Sequence, residues 1–289
     1  MKKVAVMTDT NSGILPENVD EYGCFIQAMP IIIDGEEYFE GVNIDPETFY
    51  TRQIANAKIS TSQPSINEIV DVWEALLKQG YDEIVYIPMS SGLSNSYETA
   101  ANAAQQFNGK VQVVNNQRIS LNMKSSVVDA VNMAKNGLDA VKIKKWLEET
   151  KFDSSIYIMV DTIKYLKRGG RVTPAAAAIA AILNIKPVLQ IQGGKLDSYA
   201  KVMNVRAGKA KMLEALKNDI QNRFANFLQE GKLRISVAHT QNEANALVFA
   251  QELKDAFPNI EFEYIDPLPL SIATHIGPKS LACSVYRVY

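Results

Sequence analysis

Two short segments concentrate hydroxyl side chains just before a predicted helix: ISTSQPS at 59–65 and SSGLSNSYETA at 90–100. A helix N-terminus offers unpaired N–H groups and a partial positive charge, so hydroxyls gathered there suit a carboxylate or a phosphate. Neither segment contains Lys or Arg. We therefore expect a small, singly charged anion or a neutral ligand. The ordinary alternative is that the hydroxyls form hydrogen bonds within their own turns.

Helix capping explains some of these polar residues but not all of them. Ser65 stands three residues before Glu68, which is the pattern of a capping box that satisfies two backbone donors at a helix start. Thr61, Ser62 and Gln63 have no comparable local role. In the second segment a cap likewise accounts for one polar residue and leaves the others without a structural explanation.

Familiar catalytic patterns are missing from the sequence. His239 and His275 are the two histidines, and there is no G-x-S-x-G elbow, no H-E-x-x-H and no G-x-x-x-x-G-K-[ST] phosphate loop. Phosphate transfer from ATP by this chain alone is therefore not expected. The alternative to a binding protein is an enzyme of acyl or phosphoryl transfer or hydrolysis that uses Ser94 or His275.

The segment LKRGGRVTP at 166–174 places Lys167, Arg168 and Arg171 around two glycines. One interpretation is a solvated turn that leads into a helix, with the Thr-Pro pair at the helix start. The other interpretation is a basic rim that meets a phosphate or an acidic partner.

Composition and charge exclude several function classes. The chain has 289 residues, 47% of them hydrophobic, and a formal net charge of −2. Its basic residues are scattered, which argues against a nucleic-acid partner. Two cysteines are too few for a disulfide framework or a Cys-rich metal site, and we expect no cofactor. The longest apolar run, at 174–183, is too short to span a bilayer, so we expect a cytoplasmic protein without membrane insertion.

The first half of the chain alternates short apolar runs with helical patterns. The runs that predict strands are VAVMTD (4–9), CFIQAMPIII (24–33), EIVYIPM (83–89) and VQVVNN (111–116). Helices are predicted at 66–77 and 97–107. This alternation predicts an α/β domain with a parallel sheet over residues 1–155.

The second half, residues 156–289, predicts a smaller α+β domain with antiparallel strands. Two alternating runs flank Gly193 and Gly194, which indicates a hairpin whose turn has positive φ angles. The remaining predicted elements are strands at 155–161, 232–238 and 260–265 and helices at 174–184, 207–229 and 242–256.

Six segments in order along the chain carry a family resemblance: TDTNSGIL (8–15), ISTSQPS (59–65), SSGLSNSYETA (90–100), LKRGGRVTP (166–174), KPVLQIQGGKL (186–196) and HIGPKSLA (275–282). Together they resemble the DegV family of bacterial fatty-acid-binding proteins. The resemblance implies an α/β domain joined to a smaller α+β domain. It also implies one long-chain fatty acid, with its carboxylate at the domain seam and its tail buried in the second domain.

The resemblance further implies roles for individual residues. The hydroxyls of the T-S-Q-P-S and S-S-x-L-S loops, here Thr61, Ser62, Ser94 and Ser91, would bind the carboxylate, with His275 close by. A separate fatty-acid kinase would then phosphorylate the bound acid to an acyl phosphate for phospholipid synthesis.

The resemblance also implies that the basic segment contacts this kinase, through Arg171. The chain departs from the family pattern at Asn95, Asn115, Asn116, Asn122 and Lys279. We expect the fold and the carboxylate anchor to survive these departures. They leave open the docking of the kinase, the preferred chain length and the class of ligand.

Overall fold

The computed structural model describes residues 2–178 and 185–289. These residues divide into two compact units. The first unit comprises the described residues up to Lys151, together with Pro269–Ser271 and Tyr289. The second comprises the described residues of Phe152–Leu268 and Ile272–Val288. The two returns of the C-terminal chain to the first unit have no signal in the sequence.

The first unit contains the predicted parallel sheet. Its strands are β1 (Val4–Asp9), β2 (Phe25–Gln27), β3 (Pro30–Ile33), β4 (Glu36–Phe39), β5 (Ile59–Thr61), β6 (Glu83–Ile87) and β7 (Val111–Val113). Strands β2, β1, β6 and β7 lie side by side in that order, and each neighbouring pair is parallel. The carboxyl ends of β1 and β6 therefore lie at one edge of this sheet.

A second, antiparallel sheet in the first unit corrects one prediction. The run 24–33 is two strands rather than one, because the N–H of Met29 donates to Thr10 Oγ1 (3.0 Å) and Pro30 has no N–H to donate. Strand β3 then pairs antiparallel with both β4 and β5. Segment 59–65 therefore begins in a strand of this antiparallel sheet, and the parallel sheet predicted for residues 1–155 does not extend to it.

The helices of the first unit cover both faces of its parallel sheet. They are α1 (Val19–Tyr22), α2 (Pro46–Ile54), α3 (Ile66–Lys78), α4 (Ser96–Ala104), α5 (Ser120–Lys135) and α6 (Ala140–Glu149), with 3-10 turns at Thr10–Ser12, Pro16–Asn18 and Gln105–Phe107. As its 3.6-residue period predicts, α3 buries Ile69, Trp73 and Leu76. Ser65 is the N-cap of α3 but makes no side-chain capping bond, so the capping-box prediction is wrong.

The second unit is built on a mostly antiparallel sheet. Its described strands are β8 (Ser154–Met159), β9 (Lys186–Ile191), β10 (Asp197–Val202), β11 (Leu233–His239), β12 (Glu261–Pro267) and β13 (Leu281–Arg287), in the spatial order β10-β9-β8-β13-β11-β12. Only the β11–β12 pair is parallel among these described strands. Gly193 and Gly194 lie between β9 and β10 with φ of 87° and 79°, which confirms the predicted hairpin. Strand β13 was not predicted, yet it lies inside the sheet.

The helices assigned to this half of the chain are α7 (Lys164–Gly169), α8 (Pro174–Ala178), α9 (Val205–Asn222), α10 (Ala225–Gln229), α11 (Glu243–Ala256) and α12 (Leu270–Ile276). The helix predicted at 207–229 is divided between α9 and α10, and Phe224 at the break is buried in the core of the unit. The remainder of the helix predicted at 174–184 lies outside the described residues. In the part of the chain that the structure describes, no helix is long and apolar enough to cross a membrane.

Candidate functional site

The carboxyl end of β1 is a hydrogen-bonding centre of the first unit. Asp9 is fully buried, and its Oδ1 accepts the backbone N–H (2.9 Å) and the side-chain Nδ2–H (2.8 Å) of Asn11. Its Oδ2 accepts the N–H of Met89 at 2.9 Å, just after β6. Burial raises the pKa of Asp9 to about 6, against the lowering effect of these bonds. Asp9 thus ties the ends of two neighbouring parallel strands together.

The second hydroxyl segment begins at this tie. The N–H of Ser90 donates to the carbonyl of Arg118 (3.0 Å), and the carbonyl of Ser90 accepts the N–H groups of Leu93 (2.9 Å) and Ser94 (3.1 Å). Ser91 Oγ donates to Asn115 Oδ1 at 2.8 Å. These bonds fold the loop that follows β6 into a compact turn, and they hold Ser91 and Ser94 within it.

Ser94 acts at the start of α4. Its Oγ accepts the N–H of Ser96 (3.1 Å) and lies 2.7 Å from Ser96 Oγ. Asn95 is the N-cap of α4 but makes no side-chain capping bond. The hydroxyl of Ser94 therefore supplies the side-chain acceptor at this helix start that Asn95 does not supply. It is half-buried and stands at the positive end of the helix.

The first hydroxyl segment is positioned by a strand ladder instead. Thr61 pairs with Ile31, which is 0% exposed, so both side chains lie on the same face of the antiparallel sheet. Ser60 points to the opposite face and is exposed. The N–H of Ser62 donates to the carbonyl of Pro30 at 3.3 Å. Backbone pairing thus continues through Ser62, and both Thr61 and Ser62 are half-buried.

The two hydroxyl segments approach each other within the first unit. Thr99 Oγ1, in the first turn of α4, donates to Gln63 Oε1 at 3.4 Å. The N-cap of α3, Ser65, stands two residues after Gln63 and makes no side-chain capping bond. Two helix N-termini and two hydroxyl-bearing loops are therefore neighbours. This arrangement provides neutral donors for a small anion.

The second unit contains the other two predicted site residues. His275 lies in the last turn of α12, and an ideal Cβ built on Gly169 would stand 2.3 Å from His275 Nδ1. Gly277 has the same relation to the ring of Tyr165, at 2.2 Å. Only glycine allows such close packing. The segments that contain Arg171 and His275 are thus packed on one another.

The imidazole of His275 is neutral over the physiological range. Burial, followed by the positive charge of Arg171, lowers the pKa of His275 to about 4. Arg171 itself donates from Nη1 to the carbonyl of Gly169. The structure therefore places Arg171 and His275 close together in the second unit. In the first unit it joins the segment that contains Thr61 and Ser62 to the segment that contains Ser91 and Ser94 through the Thr99–Gln63 bond.

Sequence reasoning missed the residues that hold the hydroxyl loop in place. Asp9 is the last residue of the first strand and Asn11 follows in the adjoining turn, both within the TDTNS motif, and Ser271 Oγ donates to Asn11 Oδ1 at 2.8 Å. A polar cluster that follows a buried strand was the available signal. Among residues 2–178 and 185–289, no group of three or more His, Cys, Asp or Glu side chains could hold a metal ion.

Comparison with known proteins extends over the whole chain. A DegV domain-containing protein of Clostridium perfringens is 29% identical over 290 residues, covering 98% of this chain and 97% of the relative. DegV of Bacillus subtilis, described as a fatty acid binding protein, has a TM-score of 0.84 and 28% identity, covering 99% of this chain and 100% of that one. A fatty acid binding DegV family protein of Streptococcus agalactiae has a TM-score of 0.87 and 25% identity, covering both chains fully at 100%.

The fold class predicted from the sequence is confirmed by these structural likenesses. The matching family model is that of DegV, described as an uncharacterised protein family, and the match extends over residues 3–288. The protein therefore belongs to the DegV family.

Proposed function

We propose that this protein binds a long-chain fatty acid and that hydroxyls of Thr61, Ser62, Ser91 and Ser94 receive its carboxylate. The observation that carries the proposal is the approach of the two hydroxyl loops and two helix N-termini, joined by the Thr99–Gln63 bond. Relatives of similar length that are described as fatty-acid-binding support it.

The energetics of such a complex favour the tail over the head group. Each buried methylene contributes about 0.8 kcal/mol, so a long tail supplies on the order of 10 kcal/mol before ordering costs. The hydroxyls then need only offset the desolvation of the carboxylate and fix its position. We propose that the tail is held by the second domain, residues 156–289, with the carboxylate at the seam, as the family resemblance implies.

His275 would take part as a neutral hydrogen-bonding group. With a pKa of about 4, its imidazole carries no charge at neutral pH, so it can donate one hydrogen bond without the cost of a buried cation. A carboxylate bound beside it would raise that pKa, because an anion favours the charged imidazolium. His275 thus adds to the anchor without adding a fixed charge.

Presentation of the acid to a separate kinase is the second part of the proposal. This sequence lacks a phosphate loop of its own, so phosphorylation needs another protein. Arg171 is the proposed contact, and the exposed side chains of Lys167 and Arg168 extend the same basic segment. We propose a cytoplasmic location, which would supply that kinase with ATP. The two cysteines, Cys24 and Cys283, are free and buried, which agrees with a reducing compartment.

The contacts of Ser94 do not favour the enzymatic alternative. Its nearest hydroxyl partner, Ser96 Oγ, is a neutral group that cannot serve as a general base. We expect the purified chain to release no product from an acyl phosphate or acyl thioester beyond the rate of buffer alone. Turnover that is lost in Ser94→Ala would establish the enzyme instead.

Native mass spectrometry of the protein as purified tests the binding proposal. We expect an additional mass that corresponds to a long-chain fatty acid and that disappears after delipidation and returns when the acid is added. A ligand-free protein that also ignores added fatty acid would overturn the proposal.

A further inference from the structure

We propose that Asp9 is the positioning residue of the carboxylate-binding loop: through the N–H of Met89 its ionised side chain holds Ser91 and Ser94 in their binding positions. This inference rests on the proposed function, because it assigns a role to Asp9 in the same site. Asp9 itself is buried and lies behind the loop, so it would act through the backbone and not by touching the ligand.

The hydrogen bonds of Asp9 require the ionised form. Its two oxygens accept three N–H groups, two from Asn11 and one from Met89, and a carboxylate can only accept. If one oxygen were protonated, its O–H would face an N–H group, and two donors cannot form a hydrogen bond with each other. Because Oδ1 carries two of these bonds and Oδ2 carries one, protonation at Oδ2 breaks the fewest bonds. The bond that is lost is then the one that holds Met89.

The surroundings of Asp9 make this requirement costly. Its hydrogen-bond partners are neutral amides, and among the described residues no side-chain cation offsets the effect of burial on its pKa. Tyr86 on the adjacent β6 has its own pKa raised in part by Asp9. Helix α5, which packs against β1 and the Thr10–Ser12 turn, carries Lys124 and Asp129. Lys124 Nζ lies 5.0 Å from the ring centroid of Tyr22, and Asp129 Oδ1 accepts the N–H of Tyr289.

Burial disfavours the charged form of Asp9, and the three hydrogen bonds that its oxygens accept offset part of that cost. Raising the pKa of Asp9 from 3.8 to about 6 means that folding favours its protonated form. The carboxyl of Asp9 is nevertheless ionised at neutral pH, and its Oδ2 then accepts the N–H of Met89. Groups of this kind are frequent at functional sites. The bond from Asn11 Oδ1 to Ser271 fixes the amide that completes the arrangement.

Hydrogen exchange of the 88–95 segment in Asp9→Asn tests the hold on the loop without any ligand. We expect about tenfold faster exchange in this segment at pH 7.5, because one amide donor loses its charged acceptor. After correction for intrinsic rates, the native protein should show the same acceleration as the pH falls from 7.5 to 5.5. Asp45→Asn is the matched control, since Asp45 accepts the N–H of Thr48 at the exposed start of α2. Equal protection of the segment in Asp9→Asn and native protein would overturn the proposal.

The effect on binding separates this inference from the proposed function. At pH 7.5 we expect the dissociation constant for a long-chain fatty acid to be about tenfold higher in Asp9→Asn than in native protein. As the pH falls through about 6, this constant should rise in native protein and stay unchanged in the variant. Equal constants in both proteins at both pH values overturn the positioning role and leave the proposed function standing. If native protein binds no fatty acid but the exchange result holds, the proposed function fails and the hold of Asp9 on the loop stands.

Discussion

The hydroxyl region of the first unit and the imidazole–guanidinium region of the second use different chemistry. In the first region the donors are neutral hydroxyls and helix N–H groups, and the buried carboxylate of Asp9 stands behind them. In the second, Arg171 supplies a charge, and glycine at 169 lets the chain approach His275. The proposed site in the first region is a set of weak donors that would act together on one ligand. The second depends on close packing at a few positions. Truncating hydroxyls should therefore change binding, whereas disturbing the second region should change stability and the pKa of an imidazole.

The largest expected effect is on binding by the hydroxyl region. In the double variant Thr61→Ala/Ser94→Ala, we expect the dissociation constant for a long-chain fatty acid to rise about 100-fold, because two hydrogen bonds to a carboxylate are lost. Fluorescence or calorimetric titration would measure it. Ser60→Ala/Ser65→Ala is the matched control, since Ser60 is exposed on the opposite face and Ser65 makes no capping bond. Equal affinity in the two double variants would contradict the proposed anchor.

The next effect is on the stability of the second region. Gly169→Ala places a methyl group 2.3 Å from His275 Nδ1, so the ring or the backbone must move. We expect unfolding free energy to fall by about 1–3 kcal/mol, which is the usual cost of overpacking. Denaturant titration would measure it. Gly170→Asn is the control, because Gly170 has open space and a φ of 67° that Asn tolerates. A full-stability Gly169→Ala protein would show that the packing is not tight.

Buried groups of the two units should also respond to pH in opposite directions. In the first unit, burial raises the pKa of Glu40 to about 7, and its Oε2 accepts the N–H of Leu270 at 2.7 Å. Because this carboxyl binds its proton more tightly in the folded state, its contribution to stability is lost as the pH rises through about 7. The lowered pKa of His275 acts the other way: its contribution is present above about 6.5 and is lost as the pH falls towards 4.

Comparing Glu40→Gln with native protein isolates the first of these terms. We expect the stability advantage of Glu40→Gln to be greater at pH 8 than at pH 5.5, by about 1–2 kcal/mol, because each pKa unit corresponds to about 1.4 kcal/mol. Denaturant titration at the two pH values would measure the difference. Glu47→Gln, at an exposed position, should show none. If native protein and Glu40→Gln differed in unfolding free energy by the same amount at both pH values, the raised pKa of Glu40 would be refuted.

The smallest expected effect is on the imidazole of His275. Arg171→Gln removes a positive charge that disfavours the imidazolium, so the pKa of His275 should rise while remaining below its ordinary value, since burial is the larger cause. NMR titration of the ring would measure it. Arg168→Gln, at an exposed position, is the control. An unchanged pKa of His275 in Arg171→Gln would show that the charge of Arg171 does not act on the imidazole.

How far the sequence predicts this molecule is clearest at the two hydroxyl segments. Both were recognised from their spacing before a helix, and both do precede one. Their scaffolds could not be told apart, because β5 has only three residues and its partner β3 depends on Thr10, far away in sequence. Periodicity predicts an element from its own residues, whereas sheet membership is decided by distant ones.

The capping residues show the same limit at a finer scale. The spacing of Ser65 and Glu68 fits a capping box, yet no side-chain cap forms at α3. At α4 the N–H of Ser96 donates to the hydroxyl of Ser94, and the N-cap residue Asn95 makes no side-chain capping bond. Asp9 was missed because a buried acid next to a strand end has no periodic signal. Its role follows only once β1 and β6 are seen as neighbours.

Titration of the delipidated protein with a long-chain fatty acid and with the alcohol of the same chain length tests the central claim most directly. The two ligands bury the same tail, so the difference between their dissociation constants reports the head group alone. We predict that the acid binds at least about tenfold more tightly than the alcohol, and that this preference disappears in Thr61→Ala/Ser94→Ala. Equal binding of acid and alcohol by the native protein would contradict a carboxylate site in the hydroxyl loops.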